Sequence, residues 1–131
     1  MSIPVELDAL QAKTEEYGWA YLLTVNDDQT PKVVAITPQW DGGALVADVG
    51  GGSIRNASAR STVTLTYPPL DPTDYTLIVD GRAEPVDGGA EGSTTLRFVP
   101  SGAVLPRPAP AGFTNSATGC SHDCAPVESP A

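Results

Sequence analysis

The stretch at positions 46–65, "VADVGGGSIRNASARSTVTL", decides how this chain is read. It passes from an apolar, strand-like segment through Gly50, Gly51 and Gly52 into a short polar piece, and then into a second strand-like segment. Glycines between a strand and a helix start hold backbone N–H groups open. With the positive end of a helix behind them, such N–H groups receive anions. Ser53 has the side chain of an N-cap, and Arg55 and Asn56 follow in the first turn of a helix predicted over 53–61. On this reading Gly51, Gly52, Ser53, Arg55 and Asn56 cradle a phosphate, with Arg55 its only full positive charge. The alternative is a tight corner of a β-sheet, with Arg55 paired to a nearby acid. The run matches neither familiar nucleotide motif. No Gly-Lys-Ser/Thr follows the glycines, and Gly-x-Gly-x-x-Gly is absent.

Working outward, "WAYLLTV" (19–25), "KVVAITPQW" (32–40) and "ALVADV" (44–49) are short runs rich in aromatic and β-branched residues. "NDDQTP" and "DGG" separate them with good turn chemistry, which predicts an antiparallel meander. "TVTLTY" (62–67), "YTLIVDGRAEPV" (75–86), with a bulge or bend at Gly81, and "TTLRFVP" (94–100) read as further strands. At the other end, "SIPVELDALQAKTEEYG" reads as a helix with Pro4 in its first turn, Gly18 as its stop, and Ile3, Leu7 and Leu10 on one face. Five or six strands and two short helices describe a small, mainly β barrel with helical plugs. From Pro100 the chain turns rich in Pro, Ala, Ser and Gly, so the expected division is a domain over 1–109 and a flexible, cysteine-containing tail over 110–131.

The chain has 131 residues, with seven Lys plus Arg against sixteen Asp plus Glu and a formal charge of −9. Its cations are scattered, which argues against nucleic acid as a partner. No apolar run approaches the roughly 20 residues of a membrane span. The N-terminus lacks the basic and apolar regions of a signal peptide, so a cytoplasmic location is expected. The one histidine, His122, lies in the expected tail, which leaves no Ser–His–Asp or Cys–His arrangement in the domain. Cys120, His122 and Cys124 fall within five residues and are candidate ligands for a thiophilic metal; a Cys120–Cys124 disulfide and free thiols are the alternatives.

The order of these pieces resembles the pyridoxamine 5′-phosphate oxidase-like family of flavin-binding split β-barrels. The resemblance rests on four segments: the opening hairpin "GWAYLLTVNDDQTPKVVAITPQWDGGALV", "RNASARSTVTLTY", "YTLIVDGRAEPV" and "VPSGAVLPRPAP". It implies a homodimer of six-stranded antiparallel split β-barrels, with FMN or the deazaflavin F420 in a groove between subunits. Carried over by position, the phosphate lies at residues 51–56 and the ring against residues 36–40, with Ile36, Thr37, Gln39 and Trp40 beside it. The chain departs from the family pattern at Ser53, where the oxidases carry a phosphate-binding lysine. It departs again at Gly51 (serine in the oxidases), Ser61 (proline) and Pro106 (often histidine).

Two functions follow. The first is a flavin-dependent oxidoreductase in which the cofactor carries the hydride chemistry on a small-molecule substrate. The second is a non-catalytic binding module, the same barrel holding another planar ligand such as haem, or no ligand.

Overall fold

The computed structural model describes residues 3–88 and 92–108. It shows a split β-barrel: one antiparallel sheet curled around a single core, with two short helices. Strand β1 (Ile3–Pro4) precedes helix α1 (Leu7–Thr14). Next come β2 (Ala20–Val25), β3 (Pro31–Ile36), β4 (Gln39–Asp41) and β5 (Ala44–Asp48). Helix α2 (Gly51–Ala59) leads into β6 (Thr62–Tyr67), β7 (Leu77–Pro85) and β8 (Thr95–Leu105). The sheet runs β3-β2-β6-β7-β8-β5-β4, and β1 pairs with the far end of β8.

The sheet has eight strands where six were expected. The run 32–40 splits into β3 and β4 around Thr37 and Pro38, because proline has no N–H to continue a ladder. Ile3 and Pro4 are not helical; they pair with Leu105 and Val104, and α1 begins only at Leu7. The face expected from Ile3, Leu7 and Leu10 therefore reduces to Leu10, which is fully buried, while Leu7 is half exposed. The segments 19–25, 32–40 and 44–49 form two hairpins, β2–β3 and β4–β5, rather than one meander: β5 pairs with β4 and β8 and leaves β3 alone. The segments 94–100 and 100–109 are largely one strand, since β8 runs unbroken from Thr95 to Leu105.

Alternation places the core. On β7, Leu77, Val79, Gly81, Ala83 and Pro85 point inward, and they meet Leu22, Leu45, Leu65, Leu96 and Phe98. The register slips between Asp80–Gly102 and Gly81–Pro100, so Ser101 is the extra residue of a bulge on β8. Gly81 is required there by proximity. A Cβ on it would stand 2.3 Å from the Val99 carbonyl oxygen and 2.7 Å from the Phe98 ring. At the other end α1 is tied down by polar contacts. Trp40 Nε1 donates to Thr14 Oγ1 at 2.9 Å, and the Tyr17 hydroxyl donates to the Tyr75 carbonyl at 2.9 Å. The Tyr17 ring meets buried Tyr67 edge-on at 5.9 Å.

Two outcomes test this packing. Gly81→Ala should destabilise the fold by about 3 kcal/mol in urea denaturation, because no rotamer relieves a clash with backbone. Gly43→Ala, whose Cβ would meet nothing within 4 Å, should stay within about 0.5 kcal/mol of the wild type. Burial pushes the Tyr67 phenol up to about 12. The folded state therefore keeps a proton that the unfolded chain releases near pH 10, and stability falls as pH rises from about 10 to 12, by about 2–3 kcal/mol. In Tyr67→Phe that alkaline loss should shrink to the smaller part due to Tyr17, whose phenol is raised by burial and by the charges of Glu16 and Asp74.

Candidate functional site

The sheet path ends at β3 on one side and β4 on the other, and these edges do not meet. Strand β4 starts at Gln39, opposite Val46, so Ala47 and Asp48 have no strand on that side. A groove of about 500 Å³ opens along this seam, lined by residues 34–36 of β3, residues 48–50 at the end of β5, and Thr94. The barrel interior offers no alternative. The void among Leu22, Ile36, Leu45, Leu65 and Phe98 is about 10 Å³, room for about one water. A cofactor-sized ligand would find no room there, and the seam is the roomier of the surface grooves described here.

The groove ends at Gly50, where α2 begins. Gly50 is the N-cap, and Ser53 sits inside the first turn rather than capping it. The first helical hydrogen bond runs from the Ile54 N–H to the Gly50 carbonyl at 3.1 Å, so the N–H groups of Gly51, Gly52 and Ser53 precede the ladder. A glycine cap supplies no side-chain acceptor for them. Ser53 is fully buried, and its Oγ has no hydrogen-bond partner.

Two cations converge on this helix start. Arg55 is exposed and its guanidinium folds back, 3.7 Å from where a Gly51 Cβ would stand and 3.8 Å from that of Gly52. Lys32 of β3 reaches the same place, with Nζ 3.4 Å and Cε 3.3 Å from the Gly52 position. Sequence reading missed Lys32. The available signal was alternation: Lys32, Val34 and Ile36 lie opposite Thr24, Leu22 and Ala20, all three of them buried, so Lys32 stands on the inward row at the barrel's end.

Asn56 has a different environment. It is buried, and its Nδ2 donates to Thr24 Oγ1 at 3.1 Å and to Asn26 Oδ1 at 2.8 Å, which uses both of its N–H groups. Arg60 continues the attachment, bonding the Val25 carbonyl at 2.7 Å and Asp27 at 2.9 Å. Together they fasten α2 to the tip of the β2–β3 hairpin, the hairpin that carries Lys32. Of the residues expected beside a ring, Ile36 lines the groove. Thr37, Gln39 and Trp40 line a neighbouring pocket of about 340 Å³ with Thr14, Tyr17 and Tyr67. Cys120, His122 and Cys124 lie outside the described residues, as does the proposed tail. Among the described residues, no three His, Cys, Asp or Glu gather as a metal site, and no helix is long and apolar enough to cross a membrane.

No protein-family model matches the chain. Two uncharacterized mycobacterial proteins, one from Mycobacterium bovis and one from Mycobacterium tuberculosis, are each 43% identical to it over 131 aligned residues, covering 92% of both partners. Among solved structures, a pyridoxamine 5′-phosphate oxidase-like protein of Listeria innocua superposes with a TM-score of 0.60 at 17% identity, covering 76% of this chain and 96% of its own. An F420 reductase gives 0.57 at 21% identity, with coverages of 71% and 94%. The haem storage protein HutZ of Vibrio cholerae gives 0.54 at 14%, with coverages of 75% and 93%. The chain thus belongs to one family with the two mycobacterial proteins, and its fold is that of the pyridoxamine 5′-phosphate oxidase-like split β-barrels.

Proposed function

We propose that this protein is a flavin-dependent oxidoreductase of the split-barrel type, holding FMN, or alternatively F420, with its phosphate at the start of α2 and its ring along the seam. The observation that carries the reading is the continuity of the groove. It joins an uncapped, cation-flanked helix start at Gly50 to the open edge of β3, so one ligand with an anionic end and a flat body fits both. The residues present suit the phosphate. Three N–H groups lie ahead of the helical ladder, Arg55 folds over them, and the buried Ser53 Oγ lacks a partner. Bound there, the cofactor would supply the hydride chemistry, with the reactive atom its own and not a side chain's. The chain's own part is to hold the phosphate, to set the ring against the bare backbone of β3, and to keep water from one side of it. Asp48 is the one carboxylate in the groove lining, and it accepts a hydrogen bond from Thr95 Oγ1 at 2.9 Å.

The haem alternative has a fold neighbour in its favour, but among the described residues the groove lining contains no His, Cys, Met or Tyr to ligate the iron.

The same reading includes a second copy of the chain. The outer face of β2 and β3 carries Tyr21, Leu23, Val25, Pro31, Val33 and Ala35, with Trp19 edge-on to Tyr21 at 4.5 Å. Val33 is 54% exposed and Tyr21 37%, an apolar face without a single charge. Ala35 belongs to both this face and the groove, so a copy seated here walls the open side of the cofactor site. Light scattering at micromolar concentration should report about twice the 13.5 kDa chain mass, and Val33→Glu should reduce it to a monomer. A wild type that is monomeric removes the inter-subunit groove.

Arg55→Ala should weaken FMN or F420 binding about tenfold, the low end for a charge-assisted contact because the arginine is exposed, and should leave riboflavin, which lacks the phosphate, nearly unchanged. Arg60→Ala should lower stability through the lost hairpin contacts while preserving the ratio of FMN to riboflavin affinity. Flavin fluorescence quenching measures both. Equal loss of FMN and riboflavin in Arg55→Ala would make the arginine structural and the cradle reading wrong.

A further inference from the structure

We infer that the pocket at the C-terminal end of α1, beside Trp40, is a second ligand site and takes a small organic cation, a protonated amine carried on a ring. Nothing in it depends on the flavin reading of the seam.

Three observations carry it. The first is the make-up of the walls. Both of the chain's tryptophans and two of its four tyrosines, Trp19, Trp40, Tyr17 and Tyr67, line this one pocket of about 340 Å³. Two of the four are fixed by side-chain bonds. Trp40 Nε1 donates to Thr14 Oγ1 at 2.9 Å, and the Tyr17 hydroxyl donates to the Tyr75 carbonyl at 2.9 Å. Walls that are fixed beforehand lose little freedom when a ligand arrives. The second is charge. Glu15 is the only charged side chain in the lining, which holds no Lys, Arg or His. Its neighbour Glu16 takes Lys13 at 3.2 Å, whereas Glu15 has no cation within ion-pair distance among the described residues. Glu15 is also the C-cap of α1, so its carboxylate stands at the negative end of the helix dipole. The third is the Tyr67 hydroxyl. Tyr67 ends the inward row of β6 after Val63 and Leu65 and is 4% exposed. Its ring meets Tyr17, but its hydroxyl bonds to no group among the described residues. A buried hydroxyl without a partner is costly, and the pocket is where a partner can reach it.

These features select the ligand. The carboxylate, the helix C-terminus and the faces of aromatic rings all attract positive charge, and a chain of net charge −9 repels an anion. Burial pushes the Tyr67 phenol up to about 12, so it stays neutral and its oxygen is free to accept an N–H. A bare metal ion is a poor match. The lining has one carboxylate and no His or Cys, and no three His, Cys, Asp or Glu gather among the described residues. A protonated amine on a ring has N–H groups for the carboxylate and the hydroxyl, and a flat body for the aromatic walls. Thr37, Gln39 and Trp40, which the family resemblance puts beside a cofactor ring, border this pocket and are absent from the seam lining.

The test titrates the full chain at neutral pH with benzylammonium, its uncharged analogue benzyl alcohol and its anionic analogue benzoate, in the wild type, Glu15→Gln and Tyr67→Phe. Both tryptophans line the pocket, so an occupant perturbs the tryptophan fluorescence directly, and the melting temperature gives a second readout. Unliganded melting temperatures first establish that each variant is folded. Benzylammonium should bind the wild type about tenfold more tightly than benzyl alcohol, and benzoate should not bind. Glu15→Gln, which removes an exposed charge, should weaken benzylammonium about fivefold and leave benzyl alcohol unchanged. Tyr67→Phe should weaken benzylammonium by a similar factor, about fivefold, through the lost hydrogen bond. Equal binding of all three probes makes the pocket an unselective cleft and overturns the inference. So does a benzylammonium affinity that neither variant changes, or no binding of benzylammonium at millimolar concentration. FMN that displaces benzylammonium one for one puts Thr37, Gln39 and Trp40 in the cofactor site and overturns the second site. If FMN does not bind while benzylammonium still binds selectively through Glu15, the flavin reading falls and the cation site stands.

Discussion

A sheet that curls without closing must leave two rows of backbone N–H and C=O groups unpaired, and the molecule is organised around that constraint. Pro38 interrupts the ladder after Ile36, β4 begins only at Gln39, and β5 passes to β8 instead of back to β3. The open edge of β3 therefore faces a groove and not a neighbouring strand. Exposed strand edges invite adventitious pairing unless something covers them. A flat ligand in the groove and a second subunit over the apolar face of β2 and β3 are coverings of suitable chemistry. The barrel's own interior is too well filled to admit a ligand, so under the proposed function packing as much as polarity leaves the seam for it.

The second organising feature is the attachment of α2. A nine-residue helix is too short to be stable alone, so tertiary contacts must hold it. Ile54 and Ala57 supply the buried apolar contacts, while Asn56 and Arg60 supply directional ones to Thr24, Asn26, Val25 and Asp27. Because these bonds go to the hairpin tip, they also fix the start of β3 relative to the start of the helix. The positions of Lys32 and Arg55 are thus coupled through the same clamp. The geometry at the start of α2 is then a property of the hairpin and helix together, and its N-cap, Gly50, makes no side-chain capping bond.

Much of the architecture was legible along the chain. The alternation of "LIVDGRAEP" appears as a strand buried at every second residue, and "NDDQTP" became the β2–β3 turn, with Gln29 in the left-handed region and Thr30 bonded to Asp28. The glycine run did lead into a helix, two residues earlier than Ser53 suggested, because Gly50 adopts the extended N-cap conformation and frees Ser53 to turn inward. The first helix was read too long for a comparable reason. Ile3 and Pro4 suit a helix start by composition, yet the end of β8 offers them a strand partner, and local preference yields to pairing.

The sequence by itself determined the fold class, the two helices, the glycine-led helix start and Arg55, because period, turn chemistry and capping act over a few neighbouring residues. It could not show that Asn56 spends its amide on β2, that Trp40 is tied to Thr14, or that Lys32 meets Arg55 over Gly52. Those facts join residues 23 to 32 positions apart, and one of them depends on which face of β3 points inward. That face is set by the β2–β3 register and by the sheet's curl around Gly81, where a backbone carbonyl and a phenyl ring leave no room for a side chain. Local chemistry along the chain names the elements. Only the packing of distant strands decides which side chains share a site, because burial is shared among elements that are not neighbours in sequence.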